Sequence, residues 1–279
     1  MKASNFLLFL LSFVFVLTSC TSEDTLFKKM KPGRTGVTFS NRITESKEYN
    51  ILAFEYIYNG GGVAIADVNN DGLQDLFFTG NMVNNQLYLN LGNWSFRDIT
   101  QEAGIEGTER WSSGLAVVDI NNDGWLDVYV CATSYEPGQR RANQLYVNQG
   151  AMEGESPVFM EMAEAYGIAD TSYTTTSAFF DYDNDGDLDL YLAVNQFDAQ
   201  LAPNGYWWPN DSRAEVNADK LFENRYDTLA GHSVFREVSA KAGIVRGGFS
   251  LGMNIVDINR DGWKDIYVSN DYNSPDMFY

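Results

Sequence analysis

One nine-residue pattern of acidic and amide side chains occurs four times in the chain. It reads Asp-x-Asn/Asp-x-Asp-Gly-x-x-Asp and occupies residues 67–75, 119–127, 181–189 and 257–265. Side-chain oxygens at positions 1, 3, 5 and 9 can converge on one hard cation. Glycine at position 6 permits a sharp turn that aims the carbonyl of position 7 inward. The pattern therefore predicts four calcium loops.

The predicted side-chain ligands are the residues at positions 1, 3, 5 and 9 of each loop. They are Asp67, Asn69, Asp71 and Asp75; Asp119, Asn121, Asp123 and Asp127; Asp181, Asp183, Asp185 and Asp189; and Asp257, Asn259, Asp261 and Asp265. The alternative is a metal-free turn, because Asp and Asn also cap turns with their own side chains. Four complete copies favour the metal-binding interpretation.

The residues around each loop indicate which scaffold carries it. The first six positions match the opening of an EF-hand loop, but position 12 lacks the bidentate glutamate; it is occupied by Phe78, Val130, Leu192 and Val268. A short run of small and apolar residues precedes each loop, and an apolar run rich in aromatic and β-branched residues follows it. Both runs have the length and composition of strands, so each loop is predicted to join two strands rather than two helices.

Two further sequence motifs, called phrases below, follow the first three loops and predict a third and a fourth strand. The third-strand phrases are residues 85–90, 143–148 and 219–224, and the fourth-strand phrases are residues 96–100, 159–163 and 235–239. The loop starts lie 52, 62 and 76 residues apart, which is close to the length of one four-stranded propeller blade. The first strands are rich in Gly and Ala and the later ones in Tyr, Phe and Leu, as a radial wedge requires. We therefore predict an all-β propeller; a β-sandwich is the main alternative.

Residues from about 58 to 279 resemble the FG-GAP or VCBS repeats of integrin α propellers and of bacterial proteins of the cartilage acidic, ASPIC/UnbV type. The resemblance implies four-stranded antiparallel blades with a Ca²⁺ loop between the first and second strands. It also implies that the carbonyl of position 7 binds calcium, and these carbonyls belong to Leu73, Trp125, Asp187 and Trp263. The third loop, with five aspartates, should bind most tightly. The fourth loop carries Arg260 and Lys264 and should bind more weakly.

Repeat boundaries follow from the same phrases. The units are predicted at about 58–108, 109–169, 170–246 and 247–279, within a propeller region of residues 36–279. Closed propellers of this family usually have seven blades, so the chain is expected to supply an incomplete arc of about three and a half blades. Residues 36–45 resemble the fourth-strand phrase and are a candidate for the strand that completes the last blade.

The N-terminus has the features of a secretion signal. Residues 1–20 comprise a lysine, an apolar stretch too short to span a bilayer, and Leu17-Thr18-Ser19-Cys20. The last four residues resemble a bacterial lipobox, which implies cleavage before Cys20 and lipidation of its thiol; the alternative is an ordinary secretory signal. Residues 21–35 are predicted to be a flexible tether. The expected location is the bacterial outer membrane, lipid-anchored and on the cell surface.

Charge and cysteine content restrict the function further. The net charge is −19, and the four loops hold 14 of the 38 acidic residues. Four bound Ca²⁺ ions, each with two positive charges, would cancel eight of the negative charges. An acidic surface argues against nucleic-acid binding. With Cys20 lipidated, Cys131 is the remaining cysteine, and it is predicted to be a buried small apolar residue rather than a reactive thiol.

Two functional interpretations remain open. The first is a surface-tethered binding or adhesion module for a protein or glycan, with Tyr206, Trp207 and Trp208 of the insertion 201–218 as candidate recognition residues; the alternative is that these aromatics cap a blade edge. The second is part of a carbohydrate-active enzyme with its catalytic residues elsewhere. No catalytic signature occurs, and His232 is predicted to be a solvated loop residue, so we expect no enzymatic activity.

Overall fold

Four consecutive antiparallel β-sheets make up the protein. The computed structural model describes residues 25–47, 49–107, 110–133, 141–152, 155–196, 216–272 and 274–279. Three sheets have four strands and the fourth has three, and each sheet is a meander in chain order. The prediction of an all-β fold built from repeated small sheets is confirmed.

The strands agree with the predicted phrases to within a few residues. The first sheet contains β1 (Val63–Ala66), β2 (Asp75–Phe78), β3 (Gln86–Asn90) and β4 (Phe96–Asp98). The second contains β5 (Ser112–Val118), β6 (Asp127–Ala132), β7 (Gln144–Asn148) and β8 (Phe159–Glu161). The third contains β9 (Thr174–Phe180), β10 (Asp189–Val194), β11 (Lys220–Asp227) and β12 (His232–Glu237), and the fourth β13 (Ser250–Val256), β14 (Asp265–Asn270) and β15 (Met277–Phe278).

Within the described ranges, three one-turn helices accompany the sheets: α1 (Pro32–Thr35), α2 (Thr100–Ala103) and α3 (Ala163–Tyr166). The helices α2 and α3 follow the fourth strands of the first two sheets. Each ends at a glycine with a left-handed backbone, Gly104 at φ 75° and Gly167 at φ 75°. Glycine adopts this conformation without the steric penalty of a Cβ atom, so it stops the helix and turns the chain toward the next sheet.

The first strands of the four sheets lie side by side in the order β1, β5, β9, β13. Hydrogen bonds join them: the Gly62 N–H donates to Ser113 O (2.9 Å), and the Ser113 hydroxyl donates to Thr174 O (2.7 Å). The Thr175 hydroxyl donates to Ser250 O (2.9 Å). Gly62 and Gly114 are needed here, because a Cβ atom at either would lie 3.0 Å or less from atoms of the next first strand. Sheets that meet along their first strands form a propeller-like arc.

Three hydrophobic cores fill the spaces between successive sheets. One joins the first and second sheets and includes Phe77 and Leu87 with Val128 and Tyr146. The next joins the second and third sheets, with Tyr129 and Leu145 on one side and Leu190, Leu192 and Phe222 on the other. The last joins the third and fourth sheets through Tyr191, Leu221, Ile266 and Val268. The sandwich alternative predicts one core between two sheets, so this arrangement excludes it.

The segment before β1 crosses the ends of the first strands and ties the first and fourth sheets together. Phe54 and Ile57 are buried with Trp111 in a fourth apolar cluster. The Tyr56 hydroxyl donates to Asp271 Oδ2 (3.1 Å), and the Tyr272 hydroxyl donates to Glu55. These contacts connect residues more than two hundred positions apart in sequence.

The two outermost sheets expose apolar side chains more than the inner sheets do at the equivalent positions. Val63 and Ile65 of β1 are 60% and 65% exposed. On the fourth sheet, Val256, Tyr267 and Phe278 are exposed as well. Such surfaces are expected at both ends of an incomplete propeller, where a neighbouring blade would otherwise pack.

The structure also bears on the predictions made for Cys131, His232 and residues 36–45. Cys131 is fully buried, as predicted, and burial raises the pKa of its thiol to about 12. The solvated-loop prediction for His232 is wrong: it begins β12, is half-buried and stacks on Tyr166 with ring centroids 4.6 Å apart. Residues 36–45 form no strand; Phe39 stacks on Phe78 of the first sheet at 4.9 Å.

The predicted signal peptide with Cys20, and Tyr206, Trp207 and Trp208, lie outside the described residues. The described part of the predicted tether contains α1 and is otherwise largely exposed. Within the described ranges, no helix has the length and apolar character needed to cross a membrane.

Candidate metal-binding loops

All four nine-residue loops lie between the first and second strands of their sheets, at the same end of each. In each loop, the carboxylate of position 1 accepts hydrogen bonds from the backbone N–H groups of positions 5 and 6. For Asp119, these are the N–H groups of Asp123 (3.0 Å) and Gly124 (2.9 Å). The same pairs occur at Asp67, Asp181 and Asp257. The chain therefore wraps around the first aspartate.

Positions 3 and 5 close the turn. Asn121 Oδ1 accepts a hydrogen bond from the Asp123 N–H (3.1 Å), and its amide donates to Asp123 Oδ2 (2.8 Å). Asp123 Oδ1 accepts from the Trp125 N–H at 2.8 Å. The first and fourth loops repeat these bonds. Four loops of different sequence thus share one fold.

The backbone of positions 4 and 6 is left-handed in every loop. Position 4 has φ 57° at Asn70, 56° at Asn122, 61° at Asn184 and 65° at Arg260, and the glycine at position 6 has φ between 85° and 97°. Asn tolerates this region better than other residues with a side chain. The selection of Asn in three loops and of Gly in all four follows from this conformation.

The aspartate at position 9 is the most buried loop residue in the first three sheets. Asp127 Oδ2 accepts from the Ile120 N–H (2.9 Å), and its Oδ1 accepts from the Asn148 N–H at the end of β7 (2.7 Å). Asp75 and Asp189 make the equivalent bonds to the third strands of their own sheets. This residue therefore joins the loop to the sheet as well as facing the cluster of oxygens.

Burial and mutual repulsion alter the ionisation of these carboxylates. Burial raises the pKa of Asp75 and of Asp127 to about 6 and that of Asp189 to about 7; backbone hydrogen bonds oppose the shift, and neighbouring loop carboxylates add to it. Burial and the adjacent Asp185 raise the pKa of Asp187 to about 6. Clustered carboxylates with raised pKa values are stabilised in their charged form by a cation.

The third loop has the strongest features of a metal site. Carboxylate oxygens of Asp181, Asp183 and Asp189 lie within 4.8 Å of one another. Asp183 Oδ1 and Asp187 Oδ1 are buried oxygen atoms without a hydrogen-bond partner. Buried carboxylate oxygens are rarely left unsatisfied, and a cation would satisfy both. The structure thus brings together Asp181, Asp183 and Asp189, and Asp187 adds a side-chain oxygen that was predicted only as a carbonyl ligand.

The fourth loop is the most open. Asp265 is partly exposed, unlike the position-9 aspartates of the other loops, and Ile258 and Trp263 are more than half exposed. Asp265 Oδ2 accepts from the Ile258 N–H at 2.8 Å. Hydrogen bonding by the Trp263 N–H lowers the pKa of Asp261. Greater access of water to this loop fits the prediction that it is the weaker site.

Two hydrogen bonds between neighbouring loops were missed by sequence reasoning. The amide of Asn70, at position 4 of the first loop, donates to the Gly124 carbonyl of the second loop (3.1 Å). The amide of Asn184 donates in the same way to the Gly262 carbonyl of the fourth loop (3.3 Å). Asn at position 4 is the signal that could have suggested them, but which loops are neighbours is known only from the fold.

Comparison with known proteins agrees with this architecture. Residues 47–130, which contain the first two loops, match the family model of the FG-GAP-like repeat. This part of the chain, which contains the first sheet and the start of the second, is therefore similar to FG-GAP-like repeats, and the later sheets repeat the same arrangement of strands and acidic loop.

Two curated relatives bear the same name. Over 72 residues, 25% of this chain, it is 32% identical to cartilage acidic protein 1 of Xenopus tropicalis. Over 221 residues, 75% of this chain, it is 24% identical to cartilage acidic protein 1 of Mus musculus. These matches span 11% and 28% of the respective relatives, so the chain corresponds to a minor part of each.

Proposed function

We propose that this protein is a calcium-stabilised propeller module that binds a protein or glycan at a bacterial cell surface. The observation that carries the calcium assignment is the third loop, in which buried oxygens of Asp183 and Asp187 lack a partner beside the carboxylates of Asp181 and Asp189. The other three loops have the same hydrogen-bonded backbone turn, so we extend the assignment to four Ca²⁺ ions.

Calcium suits these loops better than other divalent ions. Their ligands are carboxylate, amide and carbonyl oxygens, which hard cations prefer over softer metals. The amide-containing loops offer irregular oxygen sets of the kind that Ca²⁺ accepts, whereas Mg²⁺ requires near-ideal octahedral geometry. The ligands proposed are those named for each loop, with the carbonyls of Leu73, Trp125, Asp187 and Trp263.

Tethering and partner binding rest on different support. The lipobox-like Leu17-Thr18-Ser19-Cys20 supports attachment to the outer membrane through a lipid. Binding is supported by a partly open cavity near the first strands, which offers apolar and aromatic surface to a partner and whose described lining residues include no carboxylate, histidine or cysteine. The ionisable side chain among the described lining residues is that of Tyr56, and burial raises the pKa of this phenol to about 12, which suits it poorly to acid–base catalysis near neutral pH.

Calorimetric titration of the purified protein with Ca²⁺ tests the metal assignment. We expect several sites, with tighter binding of Ca²⁺ than of Mg²⁺, and Asp185→Ala should remove one of the tightest. Glu155→Ala, which removes an exposed carboxylate outside the loops, should leave the titration unchanged. The absence of binding heat for a metal-stripped sample would identify the loops as metal-free turns.

Two further measurements test the location and the partner. Cys20→Ala should transfer the protein from the membrane fraction to the soluble fraction, and retention in the membrane would contradict lipidation. Incubation of the calcium-loaded protein with glycan and extracellular-matrix protein arrays should give specific binding. Turnover of a carbohydrate substrate by the same sample would instead favour an enzyme.

A further inference from the structure

A cavity of about 280 Å³ lies at the end of the first strands, remote from the acidic loops. It is bounded by the segment before β1 on one side and by the starts of β5, β9 and β13 on the other. Phe54, Tyr56 and Trp111 provide aromatic surface, and Thr133, Thr175 and Asn195 provide polar groups. Concave sites with an apolar lining and a few convergent polar groups are the usual form of small-ligand sites.

Asn195 is the unusual member of this lining. Its side chain is 3% exposed, and among the described residues its amide interacts only with the Tyr56 hydroxyl and makes no hydrogen bond of ordinary length and angle. Buried amides in proteins usually make several hydrogen bonds, so an amide at the wall of a cavity with no further partner among the described residues has capacity to bond a ligand group.

The equivalent residue of the first sheet shows what a structural asparagine does at this position. Asn81 and Asn195 both lie six residues after the last aspartate of their loops. The Asn81 amide donates to Gly60 O (3.2 Å) and Ser112 O (2.9 Å), and its oxygen accepts from Asn41 (2.6 Å). Near Asn195, the carbonyl that corresponds to Ser112 O is Ser250 O, and it accepts the Thr175 hydroxyl instead. Asn195 is therefore released from the role that Asn81 performs.

The chemistry of the lining selects an uncharged ligand with hydroxyl groups. No lining residue in the described part of the chain carries a charge. The nearest carboxylates, Asp271 and Glu55, are already bound by the hydroxyls of Tyr56 and Tyr272. The Thr175 hydroxyl donates its one proton to Ser250 O (2.9 Å), with Ala193 O farther away at 3.2 Å, so toward a ligand its oxygen can act only as an acceptor. An amide that donates and accepts, a hydroxyl that accepts, and aromatic faces together match a sugar ring, which is polar at its edges and apolar on its faces.

We propose that this cavity binds one neutral sugar residue, with Asn195 as the hydrogen-bonding anchor. The proposal rests on the proposed binding function and assigns to it a ligand class and a site. It places recognition at the end of the first strands, whereas the acidic loops at the other end maintain the fold.

Saturation-transfer NMR with the calcium-loaded protein tests this site. The probes are glucose, galactose, mannose and N-acetylglucosamine, with glucuronic acid and choline as charged comparisons. At least one neutral sugar should bind, and the charged probes should not. Asn195→Thr, which installs the residue found at the equivalent position 133 of the second sheet, should weaken binding at least tenfold. The same exchange at exposed Asn84, outside the cavity, should change nothing.

A second variant keeps the test decisive if Asn195→Thr folds poorly. Leu251 lines the cavity and is 39% exposed, so Leu251→Trp should fill the space without disturbing a core and should abolish binding. Unchanged affinity in both variants, binding of a charged probe instead, or no binding of any neutral sugar would overturn the site. Calcium binding and array binding that persist in those cases would leave the proposed function standing.

Discussion

Asn85 and Asn143 occupy the same position in two successive sheets and differ in the partners of their amide nitrogens, because that of Asn143 donates to the hydroxyls of both Tyr129 and Thr174. The Asn143 amide donates to the Tyr129 hydroxyl (3.0 Å), and that hydroxyl donates to Ile168 O (2.8 Å). In the first sheet, Phe77 stands where Tyr129 stands in the second, and the buried amide nitrogen of Asn85 has no partner. The first sheet therefore lacks one of the two hydroxyl partners that the equivalent amide has in the second sheet.

Phe77→Tyr should supply this missing hydroxyl. We expect the free energy of unfolding to rise by about 1 kcal/mol, the typical net value of one buried hydrogen bond. The reciprocal exchange, Tyr129→Phe, should lower it by about 1 to 3 kcal/mol because it removes the hydrogen bonds of this hydroxyl with the Asn143 amide and with Ile168 O. Urea denaturation at constant calcium measures both. A destabilised Phe77→Tyr protein would show that the first inter-sheet core lacks room for the oxygen.

Asp219 replaces Asn at the corresponding position of the third sheet and makes stability depend on pH. Burial raises its pKa to about 6, although hydrogen bonds from the Val194 N–H, Ser250 and Tyr191 oppose the shift. A raised folded-state pKa means that the folded protein holds the proton more tightly than the unfolded chain. The associated stability is present below about pH 4 and is lost as the pH rises through about 6.

Asp219→Asn should remove this dependence. The amide can repeat the hydrogen bonds of Asn143, which donates to Tyr129 and to Thr174, since Tyr191 and Ser250 stand at the equivalent positions. The variant should match the parent near pH 4 and exceed its stability at pH 7 by at most about 3 kcal/mol, from 1.36 kcal/mol per pKa unit. Denaturation curves at both pH values give the comparison. A constant difference across pH would mean that Asp219 keeps its ordinary pKa in the folded protein.

At the scale of elements, the sequence predicts the loops and strands well because both are encoded locally. The period-two strands and the Asp, Asn and Gly positions of each loop depend on residues close in the chain, and their bounds agree with the structure to within a few residues. Two kinds of feature were not predictable. The partial burial of His232 depends on Tyr166 of α3, which follows the second sheet, and the bonding of the Asn195 amide depends on Thr175, whose hydroxyl donates to Ser250 O.

The contact between neighbouring loops gives an element-scale prediction. Asn70→Gly keeps the left-handed backbone at φ 57° but removes the amide that bonds Gly124 O. Asn122→Gly is the matched control, because Asn122 has φ 56° and no corresponding inter-loop bond among the described residues. Both substitutions increase the backbone freedom of the unfolded chain by the same amount. Asn70→Gly also removes the inter-loop hydrogen bond, so it should be the more destabilising by about 0.5 to 1.5 kcal/mol. Equal effects in thermal denaturation would show that the contact contributes nothing.

At the scale of the whole molecule, each sheet is too small to be stable alone and depends on its neighbours. The three inter-sheet cores and the segment from Phe54 to Tyr58 join the repeats into one arc. The loops lie between the first and second strands of every sheet, and their position-9 aspartates bond to third strands in the first three sheets. If a loop becomes disordered, three strands of its sheet therefore lose contacts in each of those repeats.

Removal of calcium should accordingly destabilise the entire arc rather than the loops alone. A ligand that binds only the folded state adds RT ln(1 + [L]/Kd), which is about 2.7 kcal/mol per site at a hundredfold excess over Kd. Several sites would equal much of a typical domain stability of about 5 to 15 kcal/mol. EDTA should lower the melting temperature by many degrees, and Ca²⁺ should restore it better than Mg²⁺.

The third loop provides the internal control for this experiment. Asp185→Ala should reduce the stabilisation by calcium by one site's share, and Glu155→Ala should retain all of it. Because the loops already hold their turns through side-chain to backbone hydrogen bonds, the metal-free protein should keep its strands at low temperature and lose them earlier on heating. Circular dichroism followed through the transition distinguishes this outcome from loss of strand structure on chelation alone. An unchanged melting curve in EDTA, for a sample verified as metal-free, would show that the hydrogen bonds suffice and that no ion supports the fold.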